Sequence, residues 1–182
     1  MSEEERFLEV GFDELLGLAS SDPAAALKEV EAALIDDVDP EFRARALRVS
    51  GLARANLGEL RLAQLDIDDA LQAAEFSGDR TVLGETQMTR AGILAWSGQQ
   101  EESLEAIDAA FELLDGAQKA MAQAQRGGIH YRLGNFALAR LDLDDAIGAL
   151  DAAGEIMWGG HAMTNRGLLN AYEGNVDAAR AD

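Results

Sequence analysis

Three aspartates within four residues occur twice. "LDIDDAL" at 65–71 holds Asp66, Asp68 and Asp69, and "LDLDDAI" at 141–147 holds Asp142, Asp144 and Asp145. Closely spaced carboxylates are the ligands that hard cations take. Their spacing argues against a shared ion. At 100° per helical residue, Ala63, Ile67, Ala70, Leu71 and Ala74 share one narrow face. Asp66 lies at its edge, while Asp68 and Asp69 point away on different sides, so three splayed ligands cannot close on one ion. The calcium-loop pattern fails too. Its third ligand position holds Ala70 or Ala146, and its required glycine is Leu71 or Ile147. The expectation is a solvated helix face, with some carboxylates pairing with arginines of the next segment. No metal is expected.

Other chemistry is equally sparse. His130 and His161 are the only histidines, and there is no cysteine. Disulfides, thiolate ligands and a cysteine nucleophile are therefore excluded. No Ser–His–carboxylate set, no H-E-x-x-H zinc motif and no G-x-x-x-x-G-K-[ST] phosphate loop can be assembled. The glycine pairs in "RGGI" and "WGGH" lack the phosphate-loop context, and close helix crossing and turns explain them better. No catalytic residue and no cofactor are expected, and the chain reads as non-catalytic.

The formal net charge is −19. Such a surface repels phosphate backbones and anionic lipids, so neither nucleic acid nor a membrane is expected as a partner. It suits a protein or peptide partner, above all a basic one. The 182 residues, 48% apolar, are enough for one domain with a real core. Pro23 and Pro40 are the only prolines, and the remainder is rich in Ala, Leu, Glu, Asp and Arg, which favours helix. The start, "MSEEERFLEV", lacks the basic-then-apolar order of a signal peptide. No apolar run reaches the ~18 residues a spanning helix needs. A cytoplasmic location is expected.

These residues must be positioned by repeated elements. Aligning the glycines Gly58, Gly98, Gly134 and Gly174 sets four copies 40, 36 and 40 residues apart. Seven places before each glycine is a small residue: Gly51, Ala91, Gly127 and Gly167. Five places after each is another: Ala63, Ser103, Ala139 and Ala179. In the complete copies Ile67, Ile107 and Leu143 follow, then Ala70, Ala110 and Ala146. This is helix–turn–helix spacing. Small residues let two helices cross closely, and glycine supplies the left-handed turn. One hairpin cannot bury its apolar face alone, so the copies must stack.

At the N-terminus a helix over roughly 4–19 is expected, then a second that starts at Pro23 with Asp22 as its cap. "DDVDP" at 36–40 is the expected connector to the next hairpin. The last copy, "NVDAARAD", stops before completing its apolar stripe, so the chain is expected to be the N-terminal arm of a longer protein.

These copies resemble tetratricopeptide repeats. The small-residue, glycine-turn and alanine positions match. The family's aromatic near the start of each first helix is instead Leu47, Gln87, Gln123 and Met163, and its repeat-ending proline is absent. The repeats exceed the family's ~34 residues, so the second helices should run a turn longer. A narrower similarity, carried by residues 114–154 and 163–182 and covering most of the chain, links it to the N-terminal repeat arm of actinobacterial CHAT-domain proteins, in which a caspase-like peptidase domain follows the repeats. The resemblance implies an all-α fold, an α-solenoid of helix–turn–helix hairpins wound into a right-handed superhelix. One domain over 1–182 would hold repeats at about 4–38, 44–79, 84–116, 120–154 and 160–182, the last incomplete. Any catalysis would belong to another domain.

The family register also assigns a groove lined by the first helices. It would be lined by Arg45, Arg48, Leu52 and Asn56, then Glu85, Met88 and Trp96, then Met121, Tyr131 and Arg132. His161, which would begin the last first helix, follows with Thr164, Leu168 and Tyr172. Aromatic residues and arginine are what binding hot spots use. His130 falls where the family places a buried tyrosine, so a packed, hydrogen-bonded ring is implied.

Arg90, Arg126 and Arg166 share a position where the family prefers an apolar residue. Each needs a carboxylate there, either in a neighbouring hairpin or on a partner. Leu62 and Leu65, echoed by Leu138 and Leu141, lie away from the buried stripe, where the second copy has Glu102 and Glu105. Burial against a neighbouring helix is expected for them, with an exposed interface as the alternative.

The leading expectation is a protein–protein interaction scaffold, possessing no catalytic residues of its own, that binds a peptide or partner domain in the groove. As the resemblance implies, it could regulate a caspase-like peptidase. The alternatives are an oligomerisation module that forms a homodimer through the outward leucines, and the sensor region of a transcriptional regulator.

Overall fold

Aspartate, proline and glycine punctuate the chain, and the helices start and stop at them. The computed structural model describes residues 11–34 and 38–182. Within them ten α-helices follow one another, with no strand among the described residues. They are α1 Phe12–Ser21, α2 Pro23–Ala33, α3 Pro40–Asn56, α4 Leu60–Ser77 and α5 Arg80–Trp96. Then come α6 Gln100–Leu113, α7 Gly116–Arg132, α8 Phe136–Ala153, α9 Ile156–Tyr172 and α10 Val176–Ala181. The fold is all-α.

Three starts are written locally. Asp22 accepts the Ala25 N–H at 3.1 Å and caps α2 at Pro23. Asp39 accepts the N–H groups of Glu41 and Phe42 at 3.0 and 3.2 Å, with Pro40 in the first turn of α3. Asp79 does the same for Thr81 and Val82 at 2.8 and 3.0 Å. Each such cap satisfies N–H groups that a helix start leaves open, worth about 1 kcal/mol. The turns between first and second helices hold Gly58, Gly98, Gly134 and Gly174 at φ 79, 80, 77 and 82. Only glycine adopts that backbone at no steric cost.

The first helices start earlier than the expected repeat bounds. The first helices begin at Pro40, Arg80, Gly116 and Ile156, each four residues before 44, 84, 120 and 160. Each of these helices is 17 residues long. The second helices α4 and α8 run to 18 residues and α6 to 14. The expected helix over 4–19 lies in part outside the described residues, as do residues 35–37 of the expected connector; α1 continues to Ser21.

The chain divides into two compact units, one through Gln99 and one from Gln100 to Asp182. In the first, α1 packs on α2 and α3, α2 on α3, α3 on α4 and α5, and α4 on α5. In the second, α6 packs on α7, α7 on α8 and α9, α8 on α9, and α9 on α10. Thus α2, α4 and α8 each lie against their own first helix and against the first helix that follows.

The cores are alanine-rich because the crossings are close. In the first unit Leu15, Val30, Phe42 and Val49 are buried together, and Leu47, Ala63, Ile67 and Ile93 form a second cluster. In the second unit Ala124, Leu143, Ala146 and Leu150 are buried together. Truncating a fully buried leucine such as Leu143 to alanine costs about 3 kcal/mol. The small residues sit where expected: a Cβ on Gly51 would lie 3.3 Å from the Ala63 carbonyl, and one on Gly127 would lie 3.3 Å from the Ala139 carbonyl and 2.8 Å from Leu143 Cγ.

Candidate partner-binding surface

The repeated aspartates meet the repeated arginines. Arg90 Nε lies 3.6 Å from Asp68 of the preceding second helix. Arg126 Nη1 lies 3.2 Å from Asp108 on α6, and Arg166 Nη1 2.9 Å from Asp144 on α8. These three aspartates occupy one position in successive copies. Arg126 and Arg166 also reach forward, into their own hairpins. Arg126 donates to both oxygens of Asp142, Nε at 2.8 Å and Nη2 at 2.7 Å. Arg166 Nε donates to Asp182 at 3.0 Å, and its Nη2 contacts the same carboxylate. The first copy has Ser50 in place of the arginine. Ser50 Oγ donates to Asp66 at 2.5 Å, and Arg54 Nε stands 2.8 Å from the same oxygen, off the hydrogen-bond direction.

Electrostatics follow burial. The Asp142 side chain is 6% exposed and paired with Arg126, and that pairing raises the guanidinium above its ordinary pKa. Burial pushes the Asp66 carboxyl up, with Ser50 and Arg54 acting against it. His130 is buried, and burial holds its imidazole below the ordinary value. Its Nε2 is 3.9 Å from Asp142, and its Nδ1 has no hydrogen-bond partner. The packed ring implied by the repeat register is present, but without the implied hydrogen bond at Nδ1.

Much of the expected groove in the first unit is internally satisfied. Arg48 is buried, with Nη1 at 2.6 Å from Glu85 and Nε donating to Thr89 at 2.9 Å. Burial pushes this guanidinium below its ordinary pKa, while Glu85 acts the other way. Arg45 bonds Glu41 at 3.0 Å and Glu85 at 3.4 Å, and lies 5.5 Å from the Phe12 ring. Asn56 Nδ2 donates to the Ala19 carbonyl at 3.2 Å and so ties α3 to α1. Met88 is buried and Leu52 packs on the first core. Arg45, Arg48, Glu85 and Asn56 thereby link one first helix to another. Trp96 alone of this set presents a large apolar surface.

The second unit differs. Met121 packs on the core, but His161, Thr164, Leu168 and Tyr172 are exposed along one face of α9, and Arg132 is exposed at the end of α7. His161 is the sixth residue of α9 and not its first; its ring lies 6.1 Å from Trp158. Thr164 Oγ1 donates to the Gly160 carbonyl at 2.8 Å. Phe136, at the start of α8, joins the helix ends: its ring lies 6.0 Å from Tyr131 and 4.4 Å from Tyr172. Nothing in the sequence singles out Phe136, because the position two after each turn glycine varies, holding Leu60, Gln100, Phe136 and Val176.

The leucine pairs also depart from expectation. Leu62, Leu65, Leu138 and Leu141 are all exposed, and no helix among the described residues covers them. They lie off the buried stripes, which are Ala63, Ile67, Ala70 and Ala74 on α4 and Ala139, Leu143, Ala146 and Leu150 on α8. Among the described residues no helix is long and apolar enough to cross a membrane, and no three His, Asp or Glu side chains stand together as metal ligands would. No protein-family model and no curated protein matches the chain.

Proposed function

We propose that this chain is a protein–protein interaction arm of tetratricopeptide type, stacked as a right-handed superhelix, which binds a peptide or partner domain on its first-helix face. As the resemblance to CHAT-domain proteins implies, the arm would recruit or regulate a caspase-like peptidase domain. The observation that carries the reading is the exposed face of α9. Leu168 and Tyr172 are 50% and 66% exposed one turn apart, on a helix with no Asp or Glu in a chain of net charge −19. Tyr172 packs on Phe136, so a large apolar surface is held ready at small entropic cost.

Peptides selected from a displayed random library against the chain test this reading. Selected peptides should lose about tenfold or more in affinity for a Leu168→Ala, Tyr172→Ala variant with unchanged helicity. Equal affinity for the variant would overturn it.

A further inference from the structure

We propose that the outward face of each long second helix, α4 and α8, docks a basic amphipathic helix of a partner protein, independently of the first-helix face. On α4 the face carries Leu62 and Leu65, 39% and 53% exposed, then Asp69, Gln72 and Phe76, the last 83% exposed. On α8 it carries Leu138 and Leu141, 50% and 58% exposed, then Asp145. The same two leucines and the same aspartate recur at the same helical positions, one set in each unit. Folding does not require them there. The equivalent positions of α6 are Glu102 and Glu105, both exposed, and α6 packs on α7 as its counterparts pack on the helices that follow them.

Charge decides what fits. The second helices α4, α6 and α8 together hold thirteen Asp or Glu and two Arg, whereas the first helices α3, α5, α7 and α9 hold ten Lys or Arg and two Glu. The second helices are therefore far more acidic than the first, and on α4 and α8 Asp69 and Asp145 stand exposed beside the leucines. Asp68 and Asp144 flank the pairs with side chains 57% and 48% exposed, so each retains a solvent-facing side beyond its arginine.

A second copy of the chain meeting this face with its own would set carboxylate against carboxylate. Six of its nine first-helix arginines are no remedy, since Arg45, Arg48, Arg54, Arg90, Arg126 and Arg166 already stand against internal carboxylates. An apolar row rimmed by acid instead matches a helix with leucine-type residues on one side and Lys or Arg beside them.

The test is titration of the whole chain, by calorimetry, with a synthetic amphipathic helix bearing leucine on one face and lysine on the other. A leucine–glutamate helix of the same design is the control. Wild type should bind the lysine peptide, less tightly at high salt, and ignore the glutamate peptide. The Leu65→Glu, Leu141→Glu variant copies the residue α6 tolerates, so it should fold and bind about tenfold more weakly. That variant adds two carboxylates, so purely electrostatic attraction would tighten binding, and such tightening would overturn the proposal. So would equal binding of the control peptide, or a wild-type dimer in light scattering that the variant dissociates. The Leu168→Ala, Tyr172→Ala variant should leave this binding unchanged, which separates the two surfaces.

Discussion

Arg126 grips Asp142 at two points, Nε to one carboxylate oxygen at 2.8 Å and Nη2 to the other at 2.7 Å. The geometry is the planar fork that makes arginine irreplaceable by lysine. The Arg126 guanidinium also lies 4.1 Å from the centre of the Phe111 ring, so α6, α7 and α8 converge on one side chain. Arg126→Leu would leave Asp142 buried without its cation, an expected loss of about 3 kcal/mol. Arg90→Leu breaks only an exposed 3.6 Å contact to Asp68, and should cost no more than about 0.5 kcal/mol. Urea denaturation of the two variants checks the contrast, and equal losses would contradict it.

Glu85→Ala should cost about 3 kcal/mol, because the buried Arg48 then loses its hydrogen-bonded carboxylate. Arg45→Ala is expected to cost about 1 kcal/mol or less, since Arg45 is only part-buried and much of its pairing is the Glu41 contact one turn away. Thermal unfolding ranks the pair. A costlier Arg45 variant would mean that the outer contact holds α3 to α5.

Two glycines should respond oppositely to alanine. At Gly148 a Cβ meets nothing within 4 Å, so Gly148→Ala should stabilise α8 by about 0.5–1 kcal/mol. At Gly127 the new Cβ would lie 2.8 Å from Leu143 Cγ, and Leu143 is fully buried. Overpacking should outweigh the helical gain and leave a net loss of about 1–2 kcal/mol. The two unfolding midpoints report the signs directly.

His130 makes stability depend on pH. Burial lowers its folded-state pKa below the unfolded value, so between the two the unfolded chain binds more protons. The contribution is absent above about pH 6.5, grows destabilising as pH falls from there towards the folded pKa, and levels off below it. The charged groups facing it are Asp142, Arg126 and Asp108, and Asp142 moderates the shift. His130→Gln should flatten that part of the stability curve between mildly acidic and neutral pH. A parallel curve for the variant would assign the slope to other groups.

The turns and crossings were legible because each is encoded next to where it acts. Gly134 fixes its own backbone, and Gly127 and Ala139 are small because they touch. The first helices start four residues before the expected repeat bounds, which follow the family register; at Pro40 and Arg80 it is the caps Asp39 and Asp79 that set the start. The groove was only partly legible. Arg45, Arg48 and Glu85 have the composition of a binding site, but they lie close enough to satisfy one another.

By itself the sequence determined the helical hairpins, their glycine turns, their apolar stripes and the absence of a cysteine or zinc motif, all set by backbone geometry and short-range periodicity. Only the tertiary structure decided which charges are spent internally and which surfaces stay open. Pairing depends on side chains brought together from residues as far apart as Arg48 and Thr89, 41 positions away. The exposure of Leu65 and Leu141 depends on which helices pack where, and no local pattern records that.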